Sequence, residues 1–150
     1  MASKRPKTML PDLRQSRSYD CGDTALRIVC QHHGWKLPPS MVSHPIDGSD
    51  PRTLETVLRQ AGIRVTSGEM TLSALRHHTG QGWPTICLVR LDGVGHYIVV
   101  ESVTDRRIRW QCPSRGPSGS TYRQFLESWG DLDRLGARYH QWGLVPWVDF

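Results

Sequence analysis

The chain has 150 residues, the span of one ordinary domain, and at that length a single core buries roughly 70% of the surface the unfolded chain exposes, so no cross-link is required. A hydrophobic fraction of 37% and a charged fraction of 22% fit a soluble globular protein; no apolar run approaches the ~18 residues of a membrane span, and the basic start lacks the apolar stretch of a secretory signal, so a cytoplasmic location is expected. Part of the +5 net charge sits at Lys4, Arg5, Lys7, Arg14 and Arg17; with no zinc-finger, RNP or helix-turn-helix signature beside it, it reads as a solvated tail and not as a nucleic-acid site.

Residues 1–14, polar and interrupted by Pro6 and Pro11, are expected to form a flexible tail ahead of one domain over 15–150. Ala25, Ile28, Val29 and His32 recur at helical spacing, which predicts a helix over 20–33 that stops at Gly34. A proline-rich loop through Pro38, Pro39 and Pro45 follows. Asp50-Pro51 is a capping carboxylate followed by a first-turn proline, and it opens a helix with the stripe Leu54, Val57, Leu58 and Ala61. A short strand over 63–66 and a short helix over 71–79 come next.

Apolar runs then predict strands over 84–91, 95–103 and 107–112, the last two joined by a turn at Asp105-Arg106. A helix over 122–129 and a final strand over 138–148 complete the chain. With helices first and antiparallel strands after, the expected class is α+β, an N-terminal helical part packed on a C-terminal antiparallel sheet.

Chemistry concentrates in three places. The run Gln15-Ser-Arg-Ser-Tyr-Asp-Cys21-Gly22 ends at the start of the first helix. A cysteine there feels the positive end of the helix dipole, which favours the nucleophilic thiolate. Gly22 leaves room for a substrate backbone, and Gln15 supplies an amide donor of the kind that stabilises an oxyanion. Read by itself, Cys21 is better explained as a small buried hydrophobe, the role expected of Cys30 and Cys87, than as a nucleophile. The second place is Gly95-His96-Tyr97, where a histidine opens an apolar strand behind a glycine-rich turn. The third is Gln111-Cys112-Pro113-Ser-Arg-Gly116 at the end of the next strand. The four cysteines contain no Cys-x-x-Cys pair, and a reducing compartment disfavours disulfides, so neither a structural metal nor a cofactor is expected.

Taken together, Gln15 with Asp20-Cys21-Gly22 before a helix, then Gly-His-Tyr-Ile-Val-Val100, then Cys112-Pro113 and Gly116, resemble the double-glycine leader peptidases, papain-like cysteine peptidases that process bacteriocin and pheromone precursors. The likeness runs from Gln15 nearly to the end and includes the helix around Tyr122–Trp129. It implies a papain-like fold with Cys21 as nucleophile, His96 as base and Gln15 as oxyanion donor. It also implies a peptide or protein substrate with a Gly-Gly-type site and, since no transporter segment is fused, either a free-standing protease or one that works with a separate ABC exporter. The family carries aspartate where this chain has Cys112, and that aspartate would hold the imidazole in its working tautomer. Three expectations follow: Gln111 orients His96 by way of a local bulge, since strand neighbours face opposite ways; the Cys21–His96 pair works without a third member; or the domain binds a leader peptide as an adaptor without cutting it. Isopeptidase or deamidase chemistry would use the same pair.

Overall fold

The computed structural model describes residues 10–15, 21–37, 50–91, 93–129, 132–134 and 137–149. The proline loop with His44, the basic residues before Leu10, and Asp20 before the first helix lie outside them. Among the described residues the elements run α1 (Cys21–His33), α2 (Pro51–Gln60), β1 (Arg64–Glu69), α3 (Leu72–Gly80), β2 (Thr85–Leu91), β3 (Val94–Val103), β4 (Arg107–Cys112), β5 (Gly116–Thr121), α4 (Tyr122–Ser128), β6 (Leu132–Arg134), β7 (Ala137–Tyr139) and β8 (Trp142–Trp147).

The helices begin where local chemistry satisfies their first amide groups. Asp50 accepts from the Arg52 amide and Pro51 takes the first helical position of α2. Thr71 caps α3 through the Ala74 amide. Thr121 and Gln124 form a reciprocal capping box on α4. Gly34 and Gly62 follow α1 and α2 at positive φ, 75° and 80°, a conformation that glycine adopts without a Cβ penalty.

Six strands form one antiparallel sheet in the order β1-β8-β2-β3-β4-β5, and β6 and β7 make a separate ribbon. The central strands are buried on both faces, so they read as unbroken apolar runs instead of alternating ones. Their parity shows in the core. Ile86, Leu88, Tyr97, Val99 and Leu144 pack with Leu26, Ile28, Leu54 and Leu58 of α1 and α2. Cys87, Val89, Ile98, Val100 and Val145 pack on the other side with Leu75 of α3, Phe125 of α4 and Trp129 just after it. The α+β expectation holds, and the helices cover both faces: α1 and α2 one, α3 and α4 the other.

Two expectations change, and one strand is added. Residues 10–14, read as part of a flexible tail, lie along the sheet: Leu10 is buried, its amide donates to Glu101 Oε1 at 2.9 Å, and the Gln15 backbone amide donates to the Pro113 carbonyl at 2.8 Å. The run 116–121, assigned no element from the sequence, is the edge strand β5, where Pro117 is tolerated because one side of the strand has no ladder to feed. The single last strand expected over 138–148 is two. The chain turns at Gln141 (φ 48°), whose amide donates to the Trp129 carbonyl at 3.0 Å and whose carbonyl accepts from the Met70 amide at 2.9 Å, so β7 turns to β6 and β8 enters the main sheet. Trp129, fully buried, ties the same junction by donating Nε1–H to the Trp142 carbonyl at 2.8 Å.

Leu26 joins α1 to the sheet with no exposed surface. Leu26→Ala is expected to lower the unfolding free energy by ~2–5 kcal/mol, the range for a buried leucine truncation, read as a shifted midpoint in urea at constant slope.

Candidate active site

Cys21 is the first residue of α1, 5% exposed, in the apolar cluster that also contains Ala25, Leu26, Tyr97 and Val99. α1 packs directly on β3. The positive end of a thirteen-residue helix therefore lies at the sulfur. Asp23, in the same turn, would oppose a thiolate, but Arg27 pairs with it at 2.8 Å from partly buried positions and offsets its charge. Gly22 is buried in the first turn and does not form an open approach to the sulfur.

His96 is the third residue of β3, half-buried and paired across the ladder with Val89. Tyr97 beside it is fully buried in the cluster that holds Cys21. The turn before it carries Gly93 at φ 77°, a left-handed position that a side chain would strain. The remaining described histidines stand elsewhere: His32 and His33 in the last turn of α1, His77 and His78 in the last turn of α3, and His140 exposed between β7 and β8. His33 stacks on Trp35 at 4.2 Å between ring centroids.

Gln15 follows a short segment over β4. Its amide donates to the carbonyl of Pro113, the residue after Cys112, so its backbone is fixed beside the end of β4. Gln111 and Cys112 separate as strand alternation requires. Gln111 lies opposite Val99, is 3% exposed, and donates Nε2–H to Asp12 Oδ1 at 2.7 Å. Cys112 has no exposed surface, packs in the opposite cluster with Ile98, Val100 and Ile108, and lies 3.3 Å from the Ser114 hydroxyl. The bulge that an orienting role for Gln111 requires is missing at this point. β4 pairs regularly with β5 through Gln111–Pro117 and Cys112–Gly116, and the irregularity in β3 falls between Val100 and Ser102. His96 has the strand parity of Ile98 and Val100, hence that of Cys112 and not of Gln111.

All four cysteines are buried, and none is in a disulfide. Burial pushes the Cys30 thiol up to about 11 and the Cys87 thiol higher still, the behaviour of inert core thiols. Among the described residues no group of three or more His, Cys, Asp or Glu side chains is placed to hold a metal ion. Asp12 and Arg14 were missed by sequence reasoning, although Leu10 and Leu13 are apolar in an otherwise polar run and Leu13 packs against the α1-side cluster. A cleft of about 560 Å³ lies alongside, lined by Leu10, Glu101, Arg109, Trp110, Gln111 and Pro117; neither Cys21 nor His96 reaches it.

Comparison with known proteins identifies the family and the fold. The family model described as the Peptidase C39 family matches residues 10–132. A double-glycine motif protease from an AMS/PCAT transporter, solved in complex with the leader peptide, has a similar structure at TM-score 0.71 and 15% identity, covering 95% of this chain and 94% of that one. The peptidase domain of Streptococcus ComA, a bi-functional ABC transporter involved in a quorum-sensing pathway, gives TM-score 0.71 and 14% identity, covering 91% and 97%. The peptidase domain of Streptococcus mutans ComA gives 0.65 and 12%, covering 89% and 96%. No curated protein sequence matches. The helices on a six-stranded antiparallel sheet are those of these papain-like peptidase domains.

The core thiols set a pH limit. An unfolded thiol ionises near its ordinary 9.0, whereas Cys30 in the fold holds its proton to about 11. The unfolded chain then binds fewer protons than the folded one, and stability falls as pH rises through that window. Urea unfolding at successive pH values is expected to show stability declining between pH 9 and 11, and Cys30→Ala is expected to make the decline shallower.

Proposed function

The chain belongs to the peptidase C39 family, and we propose that it is an active cysteine peptidase that cleaves a leader-containing precursor or partner protein after small residues of the Gly-Gly type. The observation that carries this reading is the family match over residues 10–132; a thiol at the N-terminus of α1 and a half-buried histidine third in β3, the strand on which α1 packs, support it, although that histidine has the strand parity opposite to Tyr97, which packs with Cys21. The fixed Gln15 backbone beside the end of β4 supports it. The Gly-Gly preference rests on the likeness to the double-glycine protease that was solved with its leader peptide.

In the proposed cycle His96 takes the Cys21 proton, and the thiolate sulfur bonds to the scissile carbonyl carbon. The carbonyl oxygen, now an anion, accepts from the Gln15 amide. His96 then gives its proton to the leaving nitrogen, the C–N bond breaks and a Cys21 thioester remains. Water, losing a proton to His96, attacks the thioester and releases the acid and the thiol. Position 112 offers the imidazole no carboxylate, so the thiolate relies on the helix dipole and on the imidazolium itself. The protein is proposed to work in the cytoplasm with an ABC exporter, the kind of transporter named for the peptidase domains that it resembles. The burial of Cys112, a residue without a carboxylate whose sulfur lies 3.3 Å from the Ser114 hydroxyl, motivates the alternative of an adaptor that binds leader peptides without cutting them.

Incubation of the native protein, Cys21→Ala and His96→Ala with a Gly-Gly precursor, read by mass spectrometry, separates the two. Cleavage after Gly-Gly by the native protein alone is expected; leader binding with equal, negligible cleavage by all three would establish the adaptor. Gln15→Ala is expected to lower kcat by ~10²–10³, the usual loss for one oxyanion donor. Cys112→Asp is expected to keep or raise kcat/KM, and a strong loss would show that this thiol has a function of its own.

A further inference from the structure

The segment 10–15 has no helix or strand of its own, yet both of its ends are fixed: Leu10 to Glu101 and Gln15 to Pro113. Between them a side-chain pair separated by 99 positions in the chain crosses from the segment to the sheet. Gln111, an almost fully buried residue near the end of the β4–β5 ladder, donates to the Asp12 carboxylate at 2.7 Å. The same carboxylate oxygen accepts from Arg14 Nε at 2.7 Å. The Arg14 guanidinium lies over Gly116, where a Cβ would come within 2.1 Å of Nη2. Gly116 is the ladder partner of Cys112, at the end of β4 beside which Gln15 is held. Charged hydrogen bonds of this kind are stronger than neutral ones, and a buried amide left without its acceptor is costly. Arg14 first, and Gln111 with it, hold the Asp12 carboxyl below the usual carboxylate range, which keeps the acceptor ionised near neutral pH.

We propose that the Asp12–Gln111 hydrogen bond is a positioning latch: it fixes segment 10–15 on β4 so that the Gln15 side-chain amide, carried on a backbone held at Pro113, is set for the oxyanion, and neither residue touches substrate. The inference rests on the peptidase reading and assigns Gln111 to the placement of the oxyanion donor and not to the imidazole.

A latch of this type predicts a specific kinetic split. Gln111→Leu and Asp12→Ala should lower kcat on a Gly-Gly precursor peptide about tenfold or more, up to the ~10²–10³ of losing the donor outright, with KM nearly unchanged. Alkylation of Cys21 by iodoacetamide, which builds no oxyanion, should keep its native rate. Asp12→Asn preserves an acceptor for Gln111 and should recover most of the lost kcat. The Gln15 amide should exchange with deuterium faster in Gln111→Leu than in the native protein. Full kcat in both Gln111→Leu and Asp12→Ala, or an equal fall in cleavage and alkylation, would overturn the latch while leaving the peptidase intact. A native protein that cuts no better than Cys21→Ala would overturn the peptidase reading, and the latch with it.

Discussion

A thiol on the first turn of a helix is held only as firmly as that helix is held against its neighbour. In this protein the neighbour is β3, and the contact is apolar: Ala25, Leu26, Ile28 and Val29 on one side, Tyr97 and Val99 on the other, with little or no exposed surface on any of them. Close-packed cores tolerate little displacement, so the dipole, the sulfur and the start of β3 are fixed by the same packing that stabilises the fold. The site carries no disulfide and is built on regular elements, with one exception in the segment 10–15.

The two-faced sheet sorts the remaining groups. Each central strand sends alternate residues to α1 and α2 or to α3 and α4, and one step along β4 is enough to move a side chain from one environment to the other. Gln111 therefore meets the N-terminal segment and its carboxylate, while Cys112 enters an apolar cluster with Ile98 and Phe125. Adjacent in sequence, they are not interchangeable in function: regular pairing with Pro117 and Gly116 prevents either from taking the other's face. Gln111 and Cys112 therefore serve opposite faces of the sheet.

Features governed by neighbouring residues were legible in the sequence. The cap at Asp50-Pro51 and the glycine stop at Gly34 each depend on atoms within a few positions, and the helices stand where these predict. The uninterrupted apolar runs of β2 and β3 also announced strands with two buried faces. What stayed hidden depends on distant partners. Gly-Pro-Ser-Gly-Ser-Thr has no intrinsic strand character and becomes β5 only because β4 offers it a ladder. The break at Gln141 is set by Met70 and Trp129, one far upstream and both invisible to local periodicity. Asp12 looked like one more charge in a polar tail because its partner lies at the far end of the domain.

The same distinction bears on the chemistry. The motif residues Gln15, Cys21 and His96 come from three separate stretches, and a motif specifies only their types. Their usefulness depends on contacts that no motif contains: the packing of α1, the parity of β3 and the ties that hold segment 10–15. A strand-borne histidine and a helix-borne cysteine inherit rigidity from their elements. Gln15 inherits none, since the residues before it form neither helix nor strand. A hydrogen-bond donor that must meet a transient anion with sub-ångström accuracy cannot rely on a segment fixed only at its ends, because each unconstrained residue retains backbone entropy worth about 1–2 kcal/mol. A charged, partly buried cross-link halfway along such a segment removes that freedom where it matters, and in this chain the pair that supplies it is Asp12 and Gln111.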